Sequence, residues 1–266
     1  MAILTKGKQM PASHWYTRDG QPAHAQPRAG GAGDRPTTIA DARRLGLIPS
    51  VTTVLSIVGK PQLEKWKVTQ GILAALRNPR QEAESEEYWV QRVYDAAFQQ
   101  VEDAAEKGSA IHAALDAAMD GQPVPDEVRV YVQPVLAWAS QTGIEVAERE
   151  TLVVNPAEGY AGRADVFFRY GKRGIGILDY KTRKTRVGER VTPYDGQGMQ
   201  LAAYAAAFYG AEALPRVLAA NLYISTTEPG RIEVCKHEDL PALYEAFRNV
   251  CALWRHLKQY DPRVAQ

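Results

Sequence analysis

The stretch ILDYKT, residues 177–182, decides the reading of this chain: an apolar strand segment, Ile177 and Leu178, runs directly into Asp179, Tyr180 and Lys181. Strand side chains alternate between faces, so Asp179 and Lys181 share one face and Tyr180 takes the other. A carboxylate and an ammonium on a buried strand are costly to desolvate unless something compensates them. For an isolated D-x-K pattern the plain alternative is a structural ion pair at a strand end. Asp165 changes that balance. It closes AGRAD (161–165) on the preceding strand, and the turn YGKRG (170–174) folds one strand back beside the other. Two carboxylates converging in this way repel and call for a cation, and hard oxygen ligands select Mg²⁺ or Mn²⁺ over zinc. Beside such a cation Lys181 would orient or deprotonate a water, or meet the charge that builds on a phosphate under attack.

Outward from this hairpin the apolar period divides the chain. Before Gly143, VTTVLSIV (51–58), QLEKWKVTQGILAALRN (62–78), a Glu/Ala/Gln-rich stretch (82–120) and DEVRVYVQPVLAWASQTG (126–143) repeat apolar residues at three and four. That spacing predicts helices, with a break at Gly121 and Pro123. After Gly143, ERETLVV (148–154), GRADVFFRY (162–170) and RGIGILDYK (173–181) are short, β-branched or aromatic, and predict a three-stranded meander. An Ala-rich helix (197–210), two strands (217–225 and 231–236) and a closing helix from 238 to ~260 follow. The first 50 residues stand apart, with six Gly and five Pro. RAGGAGDRP (28–36) reads there as a flexible loop, Asp19-Gly20 as a hairpin turn, and TTIADARRLG as a short helix capped at Thr37 or Thr38 and closed by Gly46. The expected organisation is an N-terminal segment (1–48), a helical region (49–143) and a sheet-containing core (144–266), without internal repeats.

Composition removes several classes of function. The 266 residues are 45% hydrophobic, 24% charged and 9% aromatic, which suits a globular chain with enough apolar material for one large core. Two cysteines, Cys235 and Cys251, are too few for a disulfide framework, a structural zinc site or an iron–sulfur cluster, and the five histidines show no metal spacing with them. Lys and Arg number 32 against 31 Asp and Glu, so at +1 there is no global basic field and any charged partner must be held locally. No run approaches the ~20 apolar residues of a membrane span, and MAILTKGKQM lacks the apolar core of a signal peptide. The expectation is a soluble cytoplasmic protein with no membrane partner.

Two further motifs accompany the carboxylates. His112 in KGSAIHAALDAA (107–118) lies four residues after Gly108 on one helical face, and Gly108 removes a side chain where a ligand or strand needs close approach. Gln200 and Tyr204 are one helical turn apart and share a face. Taken in order, G-x-x-x-H, G-R-x-D, D-Y-K-T and Q-x-x-x-Y resemble the PD-(D/E)xK nuclease superfamily in its RecB-like branch. PSVTTVL (49–55), LEKWK (63–67) and RETL (149–152) are similar to segments of mitochondrial genome maintenance exonucleases and related phage exonucleases.

The resemblance implies an α/β fold: a restriction-endonuclease-like core with a mixed sheet in the order αβββαβ, behind a helical N-terminal region. It implies metal-dependent hydrolysis of DNA phosphodiesters with Mg²⁺ or Mn²⁺. Asp165 and Asp179 match the metal-binding carboxylates, His112 the helix-borne ligand, Lys181 the catalytic lysine, and the Tyr180 carbonyl would complete the metal shell. Gln200 and Tyr204 match the motif that lines the site and supports the lysine or a substrate phosphate. Ser50 and Thr52 match a segment beside the site and the nucleic-acid strand, with Gly108 on the substrate side as well. Glu150 stands where related proteins carry a carboxylate; a solvated strand-edge Glu is the alternative. The phage-like resemblance and Ala-rich composition point to a bacterial or phage-infected host cell.

Directly after the catalytic strand, KTRKTRVGER brings Arg183, Lys184, Arg186 and Arg190 beside the metal, a track for phosphates that carries no base information. Trp66, Tyr88, Trp89 and Tyr94 are candidate stacking platforms for unpaired bases, with core packing the alternative for Trp66 and Trp138. The expected reaction is in-line attack of a metal-activated water on phosphorus. The leading function is a metal-dependent exonuclease preferring single-stranded or free-ended DNA, in recombination, replication or repair. Two alternatives stay open: a structure-specific or nonspecific endonuclease on the same fold, and a non-catalytic DNA-binding protein. A homo-oligomer, and a recombination or single-strand-binding partner protein, are compatible with each.

Overall fold

The computed structural model describes residues 14–31, 33–59 and 61–264; the opening stretch MAILTKGKQM lies outside them. The turn expected at Asp19-Gly20 is present, with Gly20 at φ 92° and the Ala23 N–H donating to the Trp15 carbonyl at 2.8 Å. Strand β1 (Trp15–Tyr16) ends before that turn. The glycine-rich run differs from its expectation at its C-terminal end, because β2 (Ala25–Pro27) and β3 (Asp34–Pro36) pair antiparallel and only residues 28–33 form the connection. The Arg28 N–H donates to the Gly33 carbonyl and its Nε to the Asp34 carbonyl, which closes the hairpin across a turn that glycines at positive φ permit.

Helix α1 (Ile39–Leu45) starts on a reciprocal cap between Thr38 and Asp41 and ends at Gly46 with φ 64°. Strand β4 (Ile48–Pro49) then pairs with β1, and Ser50 caps α2 (Val51–Leu55). The helical region is α3 (Pro61–Arg77), α4 (Glu86–Met119) and α5 (Asp126–Thr142), as the three-and-four spacing predicts. With 34 residues α4 is about 50 Å long. Its first half packs against α3, where the Trp89 indole donates to the Asn78 carbonyl at 2.7 Å, and its second half reaches the sheet.

The sheet has five strands, β5 (Ile144–Asn155), β6 (Tyr160–Tyr170), β7 (Gly174–Arg183), β8 (Val217–Ser225) and β9 (Ile232–His237), in the order β5-β6-β7-β8-β9. All neighbours are antiparallel except β7 and β8, which run parallel because α6 (Gln197–Tyr209) carries the chain back between them. Helix α7 (Leu240–Lys258) closes the chain. The architecture is mixed α/β with helices on both faces of the sheet.

Alternation sorts the core. Val166, Phe168, Leu178, Tyr180, Ala220 and Leu222 face α4 and α5, through Ile111, Leu115, Val132 and Val135. Ala164, Phe167, Ile177 and Ala219 face the other way, against Leu201 of α6 and Phe247 and Trp254 of α7. By parity Asp179, Lys181 and Asn221 belong to this second face, whereas in β6 Ala164 and Phe167 share a face, so the alternation breaks around Asp165. Strand β5 is an edge: its pairing shifts register between Val146 and Glu148, and Glu150 takes φ 45°. Among the described residues no helix is long and apolar enough to cross a membrane.

Candidate active site

The pairing of β6 with β7 ends at Val166 and Leu178, so Asp165 and Asp179 are the first residues past the ladder, where the strands part. Parting frees the Tyr180 N–H, and the Asp165 Oδ2 accepts it at 2.7 Å. Asp179, 4% exposed, is compensated on the other side: the Lys181 ammonium lies 2.7 Å from its Oδ1 and 2.6 Å from its Oδ2, and the Asn221 amide donates to Oδ2 at 2.7 Å. Asp179 and Lys181 thus share a face, while the Tyr180 ring lies on the opposite one, edge-on to His112 with centroids 5.9 Å apart.

Asp165 is less well compensated. Burial, and next the charge of Asp179, push its carboxyl well above the usual aspartate range. His112 reaches the same point from α4, its Nδ1 3.7 Å from the Asp165 Oδ2. Burial and then the Lys181 charge lower the His112 pKa, which favours the neutral imidazole a metal ion requires. Glu150 completes the group. Flanked by the pairs Arg149–Val166 and Thr151–Ala164, it sits across from Asp165, and burial raises its pKa against the opposing pull of Arg163. One ligand atom each from His112, Glu150 and Asp165 lie within 4.8 Å of one another, and these are the described residues able to hold a metal ion. Two carboxylates that resist ionisation and one neutral imidazole are a donor set that a divalent cation would relieve.

The residues grouped by the structure overlap only in part with the expected metal ligands: His112 and Asp165 are joined by Glu150, while Asp179 lies outside that group with Lys181 and Asn221 on its oxygens. The backbone of Tyr180 meets the site twice, through its N–H on Asp165 and through a contact with His112 that favours the protonated ring.

The glycines of the two motifs have steric roles. A Cβ on Gly108 would come 2.9 Å from Thr182 Oγ1, so the glycine lets α4 approach β7 closely, as its place in the motif leads one to expect. A Cβ on Gly162 would come 2.5 Å from the Tyr204 ring. Tyr204 is buried, and the Gln200 amide donates to its hydroxyl at 3.3 Å, which keeps the two together on α6 above the strands. Ser50 is only 2% exposed and its hydroxyl is taken up by Thr52, Thr53 and the α2 cap, whereas Thr52 is exposed.

Of the basic run, Lys184, Arg186 and Arg190 are exposed. Arg183 is not free: it donates to the Thr192 carbonyl at 2.7 Å and stacks over the Tyr194 ring at 4.6 Å. The loop is held from below by Arg231, whose guanidinium donates to the carbonyls of Arg186 and Glu189. Of the candidate stacking residues, Tyr88 is 66% and Trp66 39% exposed, while Trp89 and Tyr94, together with Phe98, line an apolar groove of about 200 Å³ between α3 and α4.

Asn221 and His237 were not singled out in sequence. The signal was there for Asn221, a lone amide inside the otherwise apolar VLAANLYI, whereas nothing local marks His237 at the end of β9.

No protein-family model matches the chain, and no curated protein matches it. Among solved structures the chain is similar to the crystal structure of SSO0001, at 18% identity over 76% of this chain and 89% of that one, with a TM-score of 0.36.

Proposed function

We propose that the chain is a metal-dependent deoxyribonuclease on a PD-(D/E)xK core, acting as an exonuclease on single-stranded or free-ended DNA. The observation that carries this reading is the meeting of Asp165, Asp179, Lys181 and His112 where β6 and β7 part, beneath Gln200 and Tyr204. Asp165, Glu150 and His112 would hold Mg²⁺ or Mn²⁺, the carboxylates favouring these hard ions. A bound cation of this kind supplies Lewis-acid stabilisation of the charge that develops on phosphorus. Lys181, 30% exposed at the rim, holds an ammonium where it can order a water and face the same charge. Lys184, Arg186 and Arg190 offer sequence-independent phosphate contacts next to it. Helix α4 is a poor phosphate track, since it carries seven acidic residues against two basic ones.

The test is a time course on 5′-labelled and 3′-labelled single-stranded DNA with Mg²⁺ or Mn²⁺, comparing wild type, Asp179→Ala, Lys181→Ala and an EDTA control. Metal-dependent cleavage by wild type, lost in both variants while their circular dichroism stays native, is expected. Cleavage by both variants at the wild-type rate would sink the assignment. Early release of one label assigns polarity, and cutting of a closed circular strand would convert the reading to an endonuclease.

A further inference from the structure

We propose that Asn221 and His237 form a buried relay that fixes the Asp179 carboxylate, and through it the Lys181 ammonium. The inference deepens the nuclease reading, and rests on it for its kinetic consequence.

Asn221 sits on β8 directly beside Asp179 in the parallel pair and is fully buried. A desolvated amide must find partners for both its oxygen and its nitrogen. With Lys181 on it, Asp179 is an ionised carboxylate and offers only acceptors, so the amide has to present Nδ2, which lies 2.7 Å from Oδ2. The Asn221 oxygen then points away, and the His237 Nε2 stands 2.6 Å from it. An acceptor oxygen demands a donor, so Nε2 carries the proton. Burial lowers the pKa of His237 and so keeps its ring neutral, which leaves Nδ1 bare.

Helix α6 clamps this arrangement. A Cβ on Gly198 would come 2.9 Å from the His237 Nδ1 and 3.0 Å from Leu243, so the glycine lets the helix that bears Gln200 and Tyr204 lie directly on the imidazole. His237 thus donates to Asn221 and Asn221 to Asp179, where the Lys181 ammonium donates from the other side. If the amide turned over, its oxygen would face the carboxylate and its nitrogen would face the Nε2–H. His237 makes that state unfavourable, which stops the Asp179 carboxylate from rotating. Neither residue touches the metal group; both act through Asp179 as positioning residues.

Long-range ¹H–¹⁵N spectra of the wild-type protein read the relay without any activity. His237, assigned by its loss in His237→Gln, is expected to show a protonated Nε2 and an unprotonated Nδ1, and an averaged mixture of tautomers in Asn221→Leu. A wild-type ring protonated on Nδ1, or averaged between tautomers, overturns the proposal. In cleavage assays His237→Leu is expected to lower kcat by about 10- to 100-fold with KM unchanged, by analogy with the loss of groups that orient metal ligands. His237→Gln, which keeps an N–H donor, should recover most of it. Wild-type kcat in His237→Leu, or a loss in KM alone, overturns the positioning role. Should His237→Leu fail to fold, the wild-type spectrum and the Gln variant decide. Should wild type cleave no DNA, the nuclease reading fails and the tautomer spectrum still decides the relay.

Discussion

Asp165 and Asp179 come from neighbouring strands to one point, yet their surroundings treat them differently. Asp179 meets an ammonium and an amide, whereas Asp165 meets one backbone N–H, a neutral imidazole and another carboxylate. Burial and the Asp179 charge therefore raise the Asp165 pKa. An aspartate raised in the folded state adds most to stability below its unfolded pKa of about 3.9, and this contribution is lost as pH rises towards the raised folded value. A divalent cation needs the ionised form, so its binding strengthens over the same window. The melting midpoint should accordingly rise with Mg²⁺ or Mn²⁺ by more at pH 8 than at pH 5, read by calorimetry. Asp165→Asn should abolish the difference; an ion effect independent of pH in wild type would argue against Asp165 as a ligand. Of these residues, Asp165, Asp179 and Lys181 were legible because strand alternation and one hairpin bring them together. Glu150 was legible only as a candidate, since its approach depends on a left-handed backbone and a shifted edge register that no local pattern encodes.

At the scale of elements, the helices after residue 50 and all five sheet strands follow from apolar periods of 3.6 and 2. The hairpin of β2 and β3 was less legible, because each of these three-residue strands ends in a proline, a residue that marks turns. Close approach between elements was half legible: a glycine in a motif says that something must come near, without saying what. Gly162 makes the point, since what comes near is the Tyr204 ring from α6. Gly162→Ala is expected to cost about 1–3 kcal/mol by overpacking, measured from the urea midpoint. A midpoint equal to wild type would show that Tyr204 can move aside, and that the packing of α6 on β6 is looser than the distances suggest.

Over the whole molecule the near-zero net charge conceals a division. Acidic residues gather on α4, and exposed bases gather on the loop after β7, which Arg231 holds in place. If that loop tracks DNA phosphates, Lys184→Ala and Arg186→Ala should each flatten the salt dependence of single-strand binding, by roughly 0.7 in the log–log slope per lost contact. Glu87→Gln on α4 should leave the slope unchanged, and fluorescence anisotropy over a salt series measures all three. This layout could not be seen in the overall charge, only in the placement of elements. The outer strand β5 adds a further consequence. A long bare strand margin invites a second chain to extend the sheet, but here the margin is interrupted by a register shift, bent by the left-handed Glu150, and studded with Glu145, Glu148 and Arg149. A margin so broken gives fibril-like stacking little to grow from, which should help the chain stay dispersed when concentrated.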